Sequence, residues 1–122
     1  MTDLATLTVE GRIGTLTLNR ADKRNALSLD LLAALHTHVD ALVLREDVSV
    51  CVITGAGPTF CAGMDLKAVL KEPGAPLRLL SSIAELTIKI RRLPQVTIAR
   101  VNGAAIGGGC GLVSVCDIGV TH

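Results

Sequence analysis

Four of the five residues from 107 to 111 are glycine, within the run Asn102-Gly103-Ala104-Ala105-Ile106-Gly107-Gly108-Gly109-Cys110-Gly111. Bare backbone here lets another segment or a ligand approach closely. Upstream, Val96-Thr97-Ile98-Ala99-Arg100-Val101 reads as a short buried strand, and downstream Leu112-Val113-Ser114-Val115-Cys116 continues a helix that begins within the glycines. A strand, a glycine turn and a helix N-terminus together accept negative charge, because the first amides of a helix have no partner inside it. That charge is either a phosphate or a developing oxyanion. A Gly-Lys-Ser/Thr phosphate loop is excluded, since the nearest lysines, Lys67 and Lys89, lie far upstream. A dinucleotide fingerprint needs its glycines at the first strand-to-helix turn with an acid further on, and this run sits near the end of the chain. The remaining alternative is a packing turn with no ligand.

The other regular elements alternate between strand and helix. Residues 6–10 and 14–18 alternate apolar and polar side chains around Gly11, which predicts a β-hairpin. Residues 19–27 form a polar loop. Ser28 is placed to cap a helix running to about Arg45, with Leu31, Leu32, Leu35, Val39, Leu42 and Val43 as its buried stripe. A strand over residues 50–53 follows, then a glycine-bearing loop and a short helix over residues 66–71. Pro73-Gly74-Ala75-Pro76 breaks the chain, and residues 77–93 form a second amphipathic helix with Leu79, Leu80, Ile83, Leu86 and Ile90 on one side. Such a series predicts a mixed α/β layer structure.

With 49% hydrophobic residues, 122 residues suffice for one small core and leave little room for a second domain. The net charge of +1 and a single aromatic residue, Phe60, provide neither an electrostatic nor a stacking surface for nucleic acid. Apolar stretches are interrupted by Asp65, Asp117 or arginines well short of a membrane span, and residues 1–10 carry no secretory pattern. The four cysteines, Cys51, Cys61, Cys110 and Cys116, show neither a Cys-x-x-Cys pair nor metal-ligand spacing to a histidine, as expected of reduced thiols in the cytoplasm. Cys61 or Cys110 at a helix N-terminus is an alternative nucleophile with a depressed pKa, but small packing residues suit these positions better. His36 and His38, two apart on a helix, cannot share a metal.

A second glycine loop, Thr54-Gly55-Ala56-Gly57-Pro58-Thr59-Phe60-Cys61-Ala62-Gly63-Met64-Asp65-Leu66, also joins a strand to a helix. Taken with Leu18-Asn19-Arg20-Ala21-Asp22-Lys23-Arg24-Asn25-Ala26-Leu27-Ser28 before it and Asn102-Gly103, Gly107-Gly108-Gly109 and Cys116-Asp117-Ile118 after it, this pattern resembles the enoyl-CoA hydratase/isomerase (crotonase) superfamily. The resemblance extends over nearly the whole chain in order. It implies a crotonase-like (ClpP/crotonase) spiral of ββα repeats, with residues 1–122 as the N-terminal core and the C-terminal helical part missing.

It also implies an acyl-CoA thioester as the substrate, with coenzyme A belonging to that substrate and no separate cofactor or metal, and a homotrimer or hexamer as the assembly. The backbone amides of Met64 and Gly108 correspond to the family's oxyanion hole. Lys23, Arg24 and Ala26, with Ala62, Met64, Asp65, Leu66, Lys67, Gly107 and Gly108, correspond to its substrate-binding positions. Solvated loop charges account equally well for Lys23 and Arg24. Asp65 and Asp117 are expected to brace their turns.

One position departs from the family. Hydratases carry a glutamate two residues after the glycine triplet, where this chain has Gly111, and the position of their second glutamate falls beyond His122. Of the glutamates present, Glu10, Glu46, Glu72 and Glu85, only Glu85 lies on a helix able to border an acyl pocket, and it falls off the apolar stripe. Three readings stand: a hydratase acting on a 2-enoyl-CoA, a double-bond isomerase working with one base, and a non-catalytic CoA-ester-binding chain or inactive fragment.

Overall fold

In a computed structural model, which describes residues 3–121, the expected α/β architecture is present. The elements in chain order are β1 (Ala5–Glu10), β2 (Ile13–Leu18), α1 (Leu29–Leu42), β3 (Val50–Gly55), α2 (Leu66–Val69), α3 (Ala75–Arg91), β4 (Val96–Val101), α4 (Gly108–Val115) and β5 (Ile118–Thr121). The five strands form one sheet in sequence order. The β1–β2 hairpin is antiparallel and turns at Gly11, whose φ is +61°, while every later pairing is parallel.

After β2, β3 and β4 the chain leaves this sheet and forms short extended segments that pair with one another through parallel bridges, Leu27 with Met64 and Cys61 with Ala105. Each repeat is therefore a strand, a short extended segment and a helix. This is the ββα spiral, with the glycine loops gathered at the C-terminal ends of the parallel strands.

Ser28 caps α1 as expected, its Oγ accepting from the Leu31 amide at 3.1 Å, and Leu31, Leu32, Leu35, Val39 and Leu42 are buried. The helix ends at Leu42, short of Arg45, and Val43 lies outside the stripe, half exposed. Gln95 supplies the reason. Its Nε2 donates to the carbonyls of Leu42 and Arg45 at 2.7 and 3.3 Å, satisfying acceptors at the helix end and beyond it.

Helix α2 is shorter than expected, four residues from Leu66 to Val69. Helix α3 begins earlier, at Ala75, so the Pro-Gly segment starts it rather than merely separating elements. Gly74 holds φ +80° at the N-cap, and Pro76 lies in the first turn, where a missing N–H costs nothing. Leu79, Leu86 and Ile90 are buried, but Leu80 is 53% exposed, because the face that meets α1 and α4 is narrower than the full apolar stripe. The stripe of α1, by contrast, is sealed into the core apart from Val43.

Phe60 is completely buried. Asp117 braces its turn, accepting from the Thr97 amide at 2.9 Å while its own N–H donates to Thr97 Oγ1 at 3.0 Å. All four residues of β5 are exposed on the sheet edge. Among the described residues no helix is long and apolar enough to cross a membrane.

Candidate active site

The two glycine loops come together as the alternation of elements requires. The segment around residues 61–65 lies between two others. On one side the Leu27 amide donates to the Gly63 carbonyl at 2.7 Å and the Asp65 amide to the Leu27 carbonyl at 3.0 Å; on the other, Cys61 donates to Ala104 and Ile106 donates to Cys61. Gly63 holds φ +91°, and a Cβ there would lie 2.9 Å from the Ile106 carbonyl oxygen and 3.8 Å from the Gly108 amide nitrogen. Glycine is thus required by backbone direction and by the closeness of the third loop.

This pairing settles which way two amides point. In a trans peptide the C=O and N–H are directed oppositely. The Gly63 carbonyl is turned toward Leu27, so the Met64 N–H is turned away from it, toward the gap beside residues 106–108. Gly107, with φ +56°, turns the chain into α4 and its carbonyl accepts from Gly111 within the helix. The Gly108 N–H therefore leaves the N-terminus of α4. Among the described residues neither amide donates a hydrogen bond. The helix end adds partial positive charge to the same region.

Side chains from all three loops hold this frame. Arg24 and Asn25 adopt left-handed backbone at φ +53° and +56°, and Asn25 is wholly buried. Its Oδ1 accepts from the Arg20 amide at 2.8 Å, and its Nδ2 donates to the carbonyls of Ala56 and Thr59 at 3.0 and 2.8 Å. From the third loop, Asn102 Oδ1 accepts from the Gly55 amide at 3.1 Å and its Nδ2 donates to Gly57 at 2.8 Å. Two carboxamides thus fasten the second loop from both sides. Arg20 Nη1 meets the Asp65 carboxylate at 2.7 Å, so Asp65 braces its turn as expected.

Of the residues singled out from the sequence, Ala26, Ala62, Met64, Asp65, Gly108 and Gly111 are half-buried, while Lys23, Arg24, Leu66, Lys67 and Gly107 are exposed. Nothing lies within 4 Å of where a Gly111 Cβ would stand. Glu85 is exposed and pairs with Lys89 at 3.8 Å. The nucleophilic alternative is corrected for Cys61: burial raises its thiol pKa, so it is a packing residue.

Arg20, Asn25 and Asn102 stand within the sequence motifs, but their tasks are not legible there. Asn102 stands out as a polar residue between an apolar strand and a glycine run, whereas nothing distinguishes Arg20 and Asn25 from the other polar residues of their loop. Ile83 was placed on a helix stripe, yet its Cδ1 would meet a Cβ at Gly108 at 3.6 Å, so it borders the gap. A surface depression of about 500 Å³ sits at the opposite end of the sheet around Val43, Val48, Pro94 and Gln95, away from these loops.

The fold of ββα repeats brings two amides without acceptors to the meeting of the glycine loops, and comparison with known proteins shows the family to which such a fold belongs. The family model for enoyl-CoA hydratase/isomerase matches residues 8–122, and the chain belongs to that family. It is 38% identical over 113 residues to the mitochondrial enoyl-CoA hydratase domain-containing protein 3 of Danio rerio, a match covering 91% of this chain and 39% of the relative. It is also 38% identical over 107 residues to the 2,3-dehydroadipyl-CoA hydratase of Escherichia coli, covering 88% and 42%. The crystal structure of an enoyl-CoA hydratase from Mycobacterium smegmatis superposes with a TM-score of 0.92 at 40% identity, covering 97% of this chain and 47% of that one. The chain thus spans less than half the length of each of these relatives.

Proposed function

We propose that the full-length protein hydrates a 2-enoyl-CoA thioester, with the thioester carbonyl oxygen held by the N–H groups of Met64 and Gly108. The observation that carries this reading is the pair of amides without acceptors, directed into one gap beside a helix N-terminus. Addition of water to a conjugated thioester places negative charge on that oxygen, and donors already in place stabilise it without reorganisation. Lys23, Arg24 and Lys67, all exposed, suit the phosphates of coenzyme A, and half-buried Ile83, beside Gly108, suits the acyl arm. Coenzyme A arrives as part of the substrate, and the reaction calls for no separate cofactor. The names of the relatives favour hydration over double-bond migration, the reading Gly111 alone would support.

An oxyanion hole holds charge but moves no proton. Gly111 has no side chain, and Glu10, Glu46, Glu72 and Glu85 are all exposed. In this proposal a carboxylate from outside the 122 residues handles the proton of water, and the 122-residue chain binds CoA esters without turning them over. The test follows loss of the conjugated thioester absorbance of crotonyl-CoA. The full-length protein is expected to consume it and the 122-residue chain to leave it unchanged. In the full-length protein Gly108→Pro should lower kcat by about 10²–10³-fold, the cost of losing one oxyanion donor. Position 108 begins α4, where proline is compatible with a helix start. Its Cβ would stand 2.9 Å from Leu27 Cδ1, so the measurement pairs Gly108→Pro with Gly108→Ala, which makes the same contact and keeps the amide. Undiminished turnover in the folded variant removes Gly108 from the site.

A further inference from the structure

The Leu27–Met64 rung is gripped from outside by a single side-chain atom. Arg20 Nη1 donates to the Ala26 carbonyl at 3.0 Å and to the Asp65 carboxylate at 2.7 Å, and Ala26 and Asp65 are the chain neighbours of the two residues that form the rung. The main chain of Arg20 is anchored too: its N–H donates to Asn25 Oδ1 at 2.8 Å, and its carbonyl accepts from the amides of Lys23 and Asn25 at 3.0 and 2.9 Å. Both charged side chains are largely removed from water, at 18% and 14% exposure. A pair desolvated to this degree contributes little net stability compared with apolar packing. What it does supply is direction, because charge-assisted bonds are short and geometrically demanding.

We propose that Arg20 is a positioning residue, which through Ala26 and Asp65 keeps the Gly63–Met64 peptide turned so that the Met64 N–H faces the thioester oxygen. The inference rests on the site reading given above. Without the clamp the rung retains its two main-chain hydrogen bonds, so the fold persists, but the peptide rocks and the donor loses its aim. Misplacement on that scale costs catalysis up to about 10²-fold while leaving the distant contacts to coenzyme A in place.

The experiment uses the 122-residue chain and a conjugated dienoyl-CoA, whose absorption moves to longer wavelength when its carbonyl is polarised. The unaltered chain should bind it with a red shift. Arg20→Met should bind it within about threefold of the same affinity, because the contacts to coenzyme A are untouched, yet lose most of the shift. Arg20→Lys, which keeps the charge but not the reach and planar geometry that set Nη1 between its two acceptors, should lose part of it. Arg20→Gln, which removes the charge and keeps a polar head, provides the same reading should Arg20→Met fold poorly. Leu86→Ala, a core truncation away from the rung, lowers stability and should keep the full shift, which separates positioning from mere destabilisation.

A full shift in folded Arg20→Met or Arg20→Gln overturns the proposal while the site reading stands. Absence of binding or of any shift in the unaltered chain overturns the site reading, and the proposal with it.

Discussion

Single positions carry most of what this chain can be asked to do. Gly111 occupies the fourth residue of α4 with open space where a side chain would go. Gly111→Glu should therefore stabilise the chain by about 0.5–1 kcal/mol, since glycine is a poor helix former and an acid in the first turn faces the positive helix end. A denaturation midpoint that stays put or falls would show that the space is not free. The buried thiols make a second prediction. Burial pushes Cys51 up to about 12 and Cys116 up to about 11 from an ordinary value of 9.0. Above pH 9 the unfolded chain loses thiol protons that the folded chain keeps, so this stability is full below pH 9 and drains away as pH rises toward 11. Urea midpoints should hold up to about pH 9 and fall between about pH 9 and pH 11, less steeply in Cys51→Ala. An unchanged midpoint would mean these thiols titrate freely in the fold. At the same scale, the glycines and the polar loop residues were visible in the sequence, but the tasks of Asn25 and Asn102 were not. Their partners lie 31 and 34 positions away for Asn25 and 45 and 47 for Asn102, and no local pattern encodes such pairs.

Among the elements, α1 and α3 repay comparison. Local chemistry specifies the start of α1 completely: Ser28 caps it and the leucine spacing buries one face. Ser28→Ala should cost about 1 kcal/mol, read as a lower thermal midpoint, and a loss near zero would mean that packing alone holds this end. The end of α1 is only partly local: the amides of Leu44 and Arg45 close the last turn, while Gln95, which follows another helix, adds a side-chain bond to the Leu42 carbonyl. The start of α3 shows a different failure. Two prolines and a glycine read as a break, yet one of those prolines belongs to the first turn, where proline is as compatible with a helix as with its termination. Leu80 was assigned to the buried side by period alone, and the width of the face that α1 and α4 cover decided otherwise.

For the molecule as a whole, the unsatisfied surface is the sheet edge rather than the first helix. Ile118 and Val120 on β5 are each 49% exposed, and Leu77, Leu80 and Ile88 of α3 are exposed as well. An open strand edge with apolar side chains invites pairing with another copy. Sedimentation of the 122-residue chain should show concentration-dependent association, and Val120→Lys on the edge should reduce it; a strictly monomeric unaltered chain would contradict this. By itself the sequence determined the alternation of strands and helices, the hairpin, the cap of α1 and the three glycine-bearing motifs, because periodicity, capping and backbone permissiveness act over a few residues. Only the tertiary structure decided that the Gly63 carbonyl faces Leu27, and hence that the Met64 amide turns toward the start of α4. That direction depends on segments far apart in sequence pairing in one register, and the hydrogen bonds enforcing it exist only after the spiral has closed.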